Sequence, residues 1–167
     1  MFSELIDFDN CCEESKQIDF LYSIFKSDFI DNNTHLNDII HIDPRVDKKI
    51  DNKEEIFWHI ITRKQGRQRA FDPPRASRIK WIKPMIQNFS HNDIKMFYYY
   101  EDNRKIRLYL WAYKYDFVVI LQKLGNSSSY LVTSFYIDYE AKRDKFEKKY
   151  QNYCNKIDSR LNNCEWF

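Results

Sequence analysis

The spacing of apolar residues near the start of the chain predicts an α-helix. Ile18, Leu21, Phe25 and Phe29 recur every three to four positions, which places them on one helical face. Many of the polar positions around them are acidic, so the pattern predicts an acidic amphipathic helix over about residues 13–30. Its apolar stripe would pack on the body of the protein or on a partner, and we favour the body.

Apolar runs rich in aromatic and β-branched residues dominate the second half of the chain and predict four strands. These runs are residues 96–100, 106–111, 116–121 and 130–137. Short polar connections separate them, which favours an antiparallel meander. A further short strand is predicted at residues 39–43, where Pro44 ends it or confines it to a sheet edge. A long helix from about residue 139 to about residue 161 closes the chain.

Two interpretations compete for the apolar segment 56–61. In a helix, Glu55, His59 and Arg63 lie on one face because they are four residues apart. In a strand, His59 and Arg63 still share a face, but Glu55 does not. Both interpretations place the histidine and the arginine on the same side of the element.

A second helix is predicted to begin at Asp72, which is a suitable N-cap and is followed by two prolines. This helix would run to about Asn88, although Pro84 kinks it or ends it early. Arg75 and Arg78 extend its apolar stripe at the N-terminal end. Free backbone N–H groups and the positive end of the helix dipole also lie there, so the two arginines predict a phosphate pocket. The stripe itself consists of Ile79, Ile82, Ile86 and Phe89.

Together these elements predict an α+β fold class, with N-terminal helices packed on a four-stranded antiparallel β-meander and a long C-terminal helix. At 167 residues, the chain is long enough to bury a core of its own. We expect two parts, an acidic helical N-terminal segment of residues 1–40 and a basic α+β domain of residues 41–167.

Charge is distributed unevenly along the chain, although the formal net charge is only +2. Residues 1–43 carry ten acidic and two basic side chains and so a net charge of −8, whereas residues 44–167 carry a net charge of +10. Such asymmetry is typical of a basic body that meets a polyanion beside an acidic segment. The alternative is that two oppositely charged surfaces attract each other within one fold.

Composition excludes several classes of protein. The chain has only two glycines, whereas a P-loop and a dinucleotide fingerprint each need several at fixed spacing. It shows neither a secretory leader nor an apolar run as long as a membrane span, so we expect a cytoplasmic protein that does not enter a membrane. The cysteines lack the spacing of a zinc site, so we expect no metal and free thiols at Cys11, Cys12, Cys154 and Cys164.

The segment with the clearest chemical potential combines a histidine with a dense cationic strip. His59 lies just before residues 63–83, which contain eight basic side chains and one acidic side chain. Arginine holds phosphate oxygens in a bidentate geometry, and imidazole exchanges protons near neutral pH. This combination suits phosphodiester chemistry without a metal. The alternative is a solvated basic face beside a structural histidine.

The order of helices, basic His/Arg region and meander resembles the barnase–EndoU–colicin–RelE superfamily of small metal-independent ribonucleases. Within it, the chain looks most similar to the phage-type branch found in toxins and mobile elements. The segments that carry the resemblance are residues 56–63, 75–84, 115–121 and 129–137. The match spans about residues 41–150 and leaves the acidic front segment unexplained.

The resemblance implies an endoribonuclease toxin that cleaves cellular RNA, with transfer RNA the first substrate to consider, and that uses no cofactor. The 2′-hydroxyl would attack the adjacent phosphorus and leave a 2′,3′-cyclic phosphate, which requires a proton acceptor, a cation at the phosphorane and a proton donor. The catalytic candidates are His59 as general acid or base, Arg63, Arg75 and Arg78 at the phosphate, and Thr133 or Ser134 at a phosphate oxygen or the histidine. The substrate-binding candidates are Arg67, Arg69, Lys80, Lys83 and Tyr136.

Three questions remain open: which of two strand neighbours faces the site, which class of function the chain has, and whether it forms an oligomer. Neighbours in a strand point to opposite faces, so only one of Thr133 and Ser134 can face the site. The chain could also be a non-catalytic nucleic-acid-binding module, or a regulatory protein whose acidic helix docks on a partner. The expected partners are RNA and a cognate antitoxin or immunity protein, and the surplus of aromatic residues permits an oligomer without requiring one.

Overall fold

The fold is described from a computed structural model, which covers residues 1–8 and 13–167. Within these residues, the α-helices are α1 Glu14–Lys26, α2 Glu55–Ile61, α3 Pro73–Ala76, α4 Ile79–Gln87 and α5 Glu140–Cys154. The strands are β1 His35–Leu36, β2 Ile40–Asp43, β3 Lys49–Ile50, β4 Lys53–Glu54, β5 Thr62–Gln65, β6 Gln68–Phe71, β7 Ile94–Tyr100, β8 Ile106–Ala112, β9 Phe117–Lys123 and β10 Ser128–Tyr136. A π-helical turn, Ser27–Asp31, continues α1, and a 3₁₀ turn, Ser159–Leu161, follows α5.

The main sheet has six strands in the order β1-β2-β10-β9-β8-β7. Strands β7 to β10 follow one another as antiparallel neighbours. Strand β2 pairs in parallel with the other edge of β10, where His41, Ile42 and Asp43 lie opposite residues 128–130. Strand β1 adds an antiparallel edge strand of two residues. Two hairpins, β3–β4 and β5–β6, lie outside this sheet.

The predicted four-stranded antiparallel meander is therefore wrong. The protein is α+β, but the four predicted strands belong to a six-stranded mixed sheet. The strand predicted at residues 39–43 exists as β2 and ends before Pro44. Its local pattern could not show that it joins β10, because about half of the chain separates the two strands, which pair in parallel.

Helices cover both faces of the main sheet. One core joins α1, α2 and α4 to the inward-facing residues of β8 and β9, among them Leu108, Leu110, Val119 and Leu121. The second core lies on the other face and joins α5 to the sheet, through Phe97, Tyr109, Trp111, Ile120 and Phe146.

The acidic front helix α1 belongs to the first core. Leu21 and Phe25 on α1, and Phe29 on the turn that follows, are at most 2% exposed. The Tyr22 hydroxyl donates to Oε2 of the buried Glu54 at 2.9 Å. The prediction that the apolar stripe packs on the body is confirmed. Residues before and after position 40 thus share one hydrophobic core.

The helix predicted from Asp72 to about Asn88 is two helices. Asp72 caps α3 as predicted, since its Oδ1 accepts from the Arg75 N–H at 3.2 Å. The break falls between α3 and α4 at residues 77–78, and α4 runs through Pro84. At the end of the chain, α5 stops at Cys154, short of the predicted residue 161.

Replacing Phe25 with alanine is expected to lower the free energy of unfolding by about 3–5 kcal/mol, because the change empties a buried aromatic site. The matched control is Phe20→Ala on the same helix, where the ring is 48% exposed and the expected loss is under about 1 kcal/mol. Denaturant unfolding of both variants measures the difference. Small and equal losses would mean that α1 is not part of the folding core.

Candidate functional site

A pocket of about 260 Å³ lies between α2, the loop after β2, and strands β8 and β10. It collects charged side chains from separate segments of the chain. Its cations are Arg45, Lys48 and Arg107, His59 and Glu55 lie together on α2, and Tyr130 supplies an aromatic ring. Ile56, Leu131 and Val132 complete the lining. Three basic side chains therefore face one carboxylate, and the pocket suits an anion.

A sharp turn after β2 brings Arg45 to the pocket. The Arg45 N–H donates to Oδ1 of Asp43 at 2.7 Å, and the φ angle of Arg45 is 55°, in the left-handed region. The guanidinium carbon then lies 4.9 Å from the ring centroid of Tyr130. At this distance the cation is attracted to the ring face, so the turn and β10 hold this part of the pocket together.

Arg107 and Tyr130 come from one cross-strand row of the sheet. Arg107 lies opposite Gln122, and Gln122 lies opposite Tyr130; directly opposed residues point to the same face. Arg107 Nε donates to Gln122 Oε1 at 3.3 Å, and its Nη1 lies 3.7 Å from Glu101 Oε1. The register of three strands therefore fixes the guanidinium beside the tyrosine.

His59 is half-buried on α2, and its Nε2 lies 3.7 Å from Oε1 of Glu55, one turn earlier. The helical interpretation of residues 56–61 is therefore confirmed, although Arg63 falls beyond the helix in β5. Burial lowers the pKa of His59 from 6.5 and the charge of Arg69 lowers it further, while Glu55 and a hydrogen bond to the Val132 backbone raise it. Burial therefore favours the neutral imidazole, which is the form that can accept a proton.

A β-bulge in β10 gives His59 its backbone partner. The register with β9 shifts between Leu131 and Thr133, so Val132 is an extra residue that the strand ladder leaves unpaired. Pairing with β2 ends at Tyr130, which leaves this edge of β10 open to α2. The Val132 carbonyl is thus available to accept a hydrogen bond from the imidazole.

Arg69 and Arg75, both predicted site residues, hold the C-terminal end of α2. Arg75 Nη1 donates to the carbonyl oxygens of His59 and Thr62, at 2.8 and 2.7 Å. Arg69 donates from Nε to Thr62 Oγ1 at 2.7 Å and from Nη2 to the Thr62 carbonyl oxygen at 3.0 Å. Both cations lie at the negative end of the helix dipole. Burial lowers the pKa of Arg75 to about 10.

Arg63 and Arg78 are engaged by protein groups outside the pocket. Arg63 donates from Nε to Asp72 Oδ2 and from Nη1 to Asp138 Oδ2, both at 2.8 Å. Hydrogen bonds to these two carboxylates raise the pKa of Arg63. The guanidinium carbon of Arg78 lies 4.2 Å from the ring centroid of Tyr136. The structure therefore does not bring these two arginines together with His59.

The bulge also separates Thr133 from Ser134. Because Val132 is the extra residue, Ser134 points to the same side as Leu131, and its side chain is fully buried. Among the described residues, the Ser134 hydroxyl has no hydrogen-bond partner. Thr133 Oγ1, in contrast, lies 3.3 Å from the His59 carbonyl oxygen. Of the pair, Thr133 is the residue in contact with the candidate site.

The remaining predicted substrate-binding residues lie apart from one another. Arg67 is exposed in the turn of the β5–β6 hairpin. Lys80 lies against a phenylalanine ring of α1, and Lys83 pairs with an aspartate of the π-helical turn. Tyr136 stacks on the guanidinium of Arg78. None of the four residues appears among those that line the pocket.

Sequence reasoning missed Arg45, Lys48, Arg107 and Tyr130. A signal exists for Arg107, because a charged residue in the apolar run 106–111 must find a polar environment or a partner. The other three have no local signal. Their approach to His59 depends on how β2 joins β10, which the pattern of any single segment cannot show.

A larger hollow of about 470 Å³ lies between the end of α5 and the C-terminal residues. Its lining includes amides, two carboxylates and one lysine, and no histidine or arginine. Among the described residues, Cys154 and Cys164 are free thiols, and no group of three or more His, Cys, Asp or Glu side chains could hold a metal ion. The predicted thiols Cys11 and Cys12 lie outside the described residues.

Comparison of the chain with protein-family models, with curated proteins and with solved structures gives no match. Within residues 1–8 and 13–167, none of the helices has the length and apolar character needed to cross a membrane. Function must therefore be inferred from the geometry and charge of the pocket.

Replacing Arg75 with glutamine is expected to lower the free energy of unfolding by about 2 kcal/mol, because two carbonyl groups at the end of α2 lose a buried donor. The matched control is Arg67→Gln in the exposed turn, with an expected change below about 0.5 kcal/mol. Chemical denaturation of both variants provides the measurement. A wild-type midpoint for Arg75→Gln would show that the guanidinium does not hold the helix end.

Proposed function

We propose that the protein is a metal-independent endoribonuclease that cleaves RNA at the pocket between α2 and β10. The observation that carries the proposal is the half-buried His59, paired with Glu55 and lining one pocket with three cations. A proton acceptor beside a cation-held phosphate is what attack by a ribose 2′-hydroxyl requires. The proposal keeps His59 from the sequence prediction and replaces the arginines expected around it.

In the proposed reaction, the 2′-hydroxyl of one nucleotide attacks the adjacent phosphorus. His59 accepts the hydroxyl proton as the O2′–P bond forms. The P–O5′ bond breaks, and the 5′ oxygen leaves with a proton taken from a donor in the pocket. The products are a 2′,3′-cyclic phosphate and a 5′-hydroxyl. Glu55, whose Oε1 lies 3.7 Å from Nε2, stabilises the imidazolium that His59 becomes.

Arg45, Lys48 and Arg107 would hold the phosphate oxygens and the additional negative charge of the phosphorane. Guanidinium groups suit this role because they offer parallel donors to two oxygens. Two lining side chains can protonate the leaving oxygen, the Lys48 ammonium and the Tyr130 hydroxyl. The ring of Tyr130 also offers a surface on which an unstacked base can stack.

Arg75 and Thr133 support the proposed site through the backbone of His59. Arg75 Nη1 and Thr133 Oγ1 both donate to the His59 carbonyl oxygen, at 2.8 and 3.3 Å. Neither side chain lines the pocket, so we assign both as positioning residues. The proposed chemistry assigns no role to Arg78 or Ser134.

By the resemblance, the substrates of such an enzyme are cellular RNAs in the cytoplasm, and the chain would act as a toxin. Transfer RNA is the first substrate to test, although no residue of the pocket selects it over messenger RNA. A cognate antitoxin or immunity protein could inhibit the enzyme by covering the cationic pocket, since that would exclude the phosphate.

A non-catalytic nucleic-acid-binding module is the second candidate function. It is favoured by the charge of the pocket, because Arg45, Lys48 and Arg107 can attract a polyanion without any proton transfer. The two functions differ in their dependence on the imidazole. A binding module would keep its RNA affinity without His59 and lose affinity without Arg107.

The purified protein is expected to cleave total RNA in the presence of EDTA and to leave 2′,3′-cyclic phosphate ends. His59→Asn should lower the cleavage rate by about 10²–10⁴-fold, because it removes proton transfer but retains a hydrogen-bonding side chain. The matched control is His91→Asn at an exposed turn, which should cleave at the wild-type rate. Gel electrophoresis and end-group analysis of the products provide the measurements.

Other outcomes of this experiment separate the two candidate functions. RNA binding without cleavage by folded wild-type protein would support the binding module. Cleavage that His59→Asn leaves at the wild-type rate would exclude His59 as the base. Neither binding nor cleavage would contradict both functions.

The acid limb of the kcat/KM profile against pH is expected to have its midpoint below 6.5, because burial and Arg69 lower the pKa of His59. Arg69→Gln should move the midpoint to higher pH, since a nearby positive charge is lost. Glu55→Gln should move it to lower pH, since that carboxylate raises the pKa. Shifts of the opposite sign would show that another group controls the acid limb.

A further inference from the structure

A second concentration of charge lies beside the pocket, where the β5–β6 hairpin, α3 and the start of α5 meet. We name it the junction cluster and define it by the cations Arg63, Arg69, Arg75 and Lys142 with the carboxylates Asp72 and Asp138. Four cations face two carboxylates, so the junction cluster holds an excess of two positive charges.

The cations of the junction cluster are crowded. Arg69 and Arg75 donate to the same Thr62 carbonyl oxygen, at 3.0 and 2.7 Å. Arg75 Nε is buried and has no hydrogen-bond partner in the part of the chain that the structure describes. Its contact with Asp72 Oδ2 is an ion pair at 3.7 Å. Like charges held this close repel one another, so the cluster favours an additional anion.

Lys142 and Arg63 form the accessible side of the junction cluster. Lys142 Nζ lies 4.6 Å from the ring centroid of Phe135 and 3.7 Å from Asp138 Oδ1. The side chains of Lys142 and Arg63 are 29% and 43% exposed. Burial lowers the pKa of Lys142, Asp138 raises it, and the charges of Arg63 and Arg75 lower it further. A bound anion would offset the repulsion between Lys142 and the two arginines.

Arg69 connects the junction cluster to the pocket. Arg69 Nη2 and Arg75 Nη1 both donate to the Thr62 carbonyl oxygen, and Arg75 Nη1 also donates to the carbonyl oxygen of the pocket residue His59. The end of α2 therefore joins the junction cluster to the pocket residue His59. A strand that places one phosphate in the pocket can bring a neighbouring phosphate to the junction cluster.

We propose that the junction cluster binds a second phosphate of the same nucleic-acid strand, with Lys142 and Arg63 as its contacts. The inference rests on the proposed function, because the pocket is taken as the site of the first phosphate. Asp72 and Asp138 orient Arg63, while Arg75 and Arg69 contribute charge from the end of α2. Such a site takes any phosphodiester of a single strand and reads no sequence.

The test compares the affinities of two 2′-deoxy probes, which bind without 2′-hydroxyl attack. One is a dinucleoside monophosphate and the other is the matching trinucleoside diphosphate. Either phosphate of the longer probe can occupy the pocket, so statistics alone give about a twofold gain in affinity. A second phosphate site should raise this gain to about five- to tenfold in the wild type.

Lys142→Gln should lower the gain towards the statistical twofold value, because one of the two phosphate contacts is lost. The matched control is Lys145→Gln, which removes the same charge from an exposed position on the same helix and should retain the full gain. Salt titration adds an independent readout. The slope of log affinity against log salt should be steeper for the longer probe in the wild type, and the difference between the probes should be smaller in Lys142→Gln.

A gain of only about twofold in the wild type would overturn the second-phosphate site. Equal gains in Lys142→Gln and Lys145→Gln would overturn it as well. Failure of the proposed function is a separate result, because uncut RNA together with a Lys142-dependent gain would refute catalysis and leave the site standing. Absence of binding to either probe would overturn both the site and the proposed function.

Discussion

The carbonyl oxygen of Thr62 is the point on which the geometry of the site depends. Helix α2 ends at Ile61, so the carbonyl groups of its last turn need donors from elsewhere. Arg69 from β6 and Arg75 from α3 provide them, which joins the helix end to the hairpin and to α3. His59 lies on this turn, and its carbonyl oxygen shares the Arg75 donor. The contacts that end the helix therefore also position the imidazole.

Local periodicity predicted the elements that bury one continuous apolar face. The stripe of α1 and the four runs between residues 96 and 137 correspond closely to α1 and β7–β10. Pairing over long sequence distances was not predictable in this way. Strand β2 was expected, but its parallel contact with β10 depends on the arrangement of the whole sheet. The bulge at Val132 likewise breaks the two-residue alternation, and it places Ser134 in the core.

The candidate site was predictable only where its residues are close in sequence. His59 was identified, and Glu55 joined it in one of two interpretations. An arginine-rich stretch predicts charge, but it does not show which acceptor each guanidinium finds. Arg63 meets two carboxylates and Arg75 meets two carbonyl oxygens. The cations of the pocket come instead from the turn after β2 and from β8, which only the folded sheet brings to α2.

The acidic front segment and the basic body interact away from the pocket. Asp19 pairs with Lys53 at 3.1 Å and Asp28 with Lys83 at 3.6 Å, so the front segment compensates cations near α1. In the described part of the chain, Glu55 is the single carboxylate that lines the pocket, where positive charge remains in excess. Attraction within the fold therefore accounts for part of the charge asymmetry and leaves the cations of the pocket uncompensated. The proposed RNA site lies on the pocket surface, away from the ion pairs made by Asp19 and Asp28.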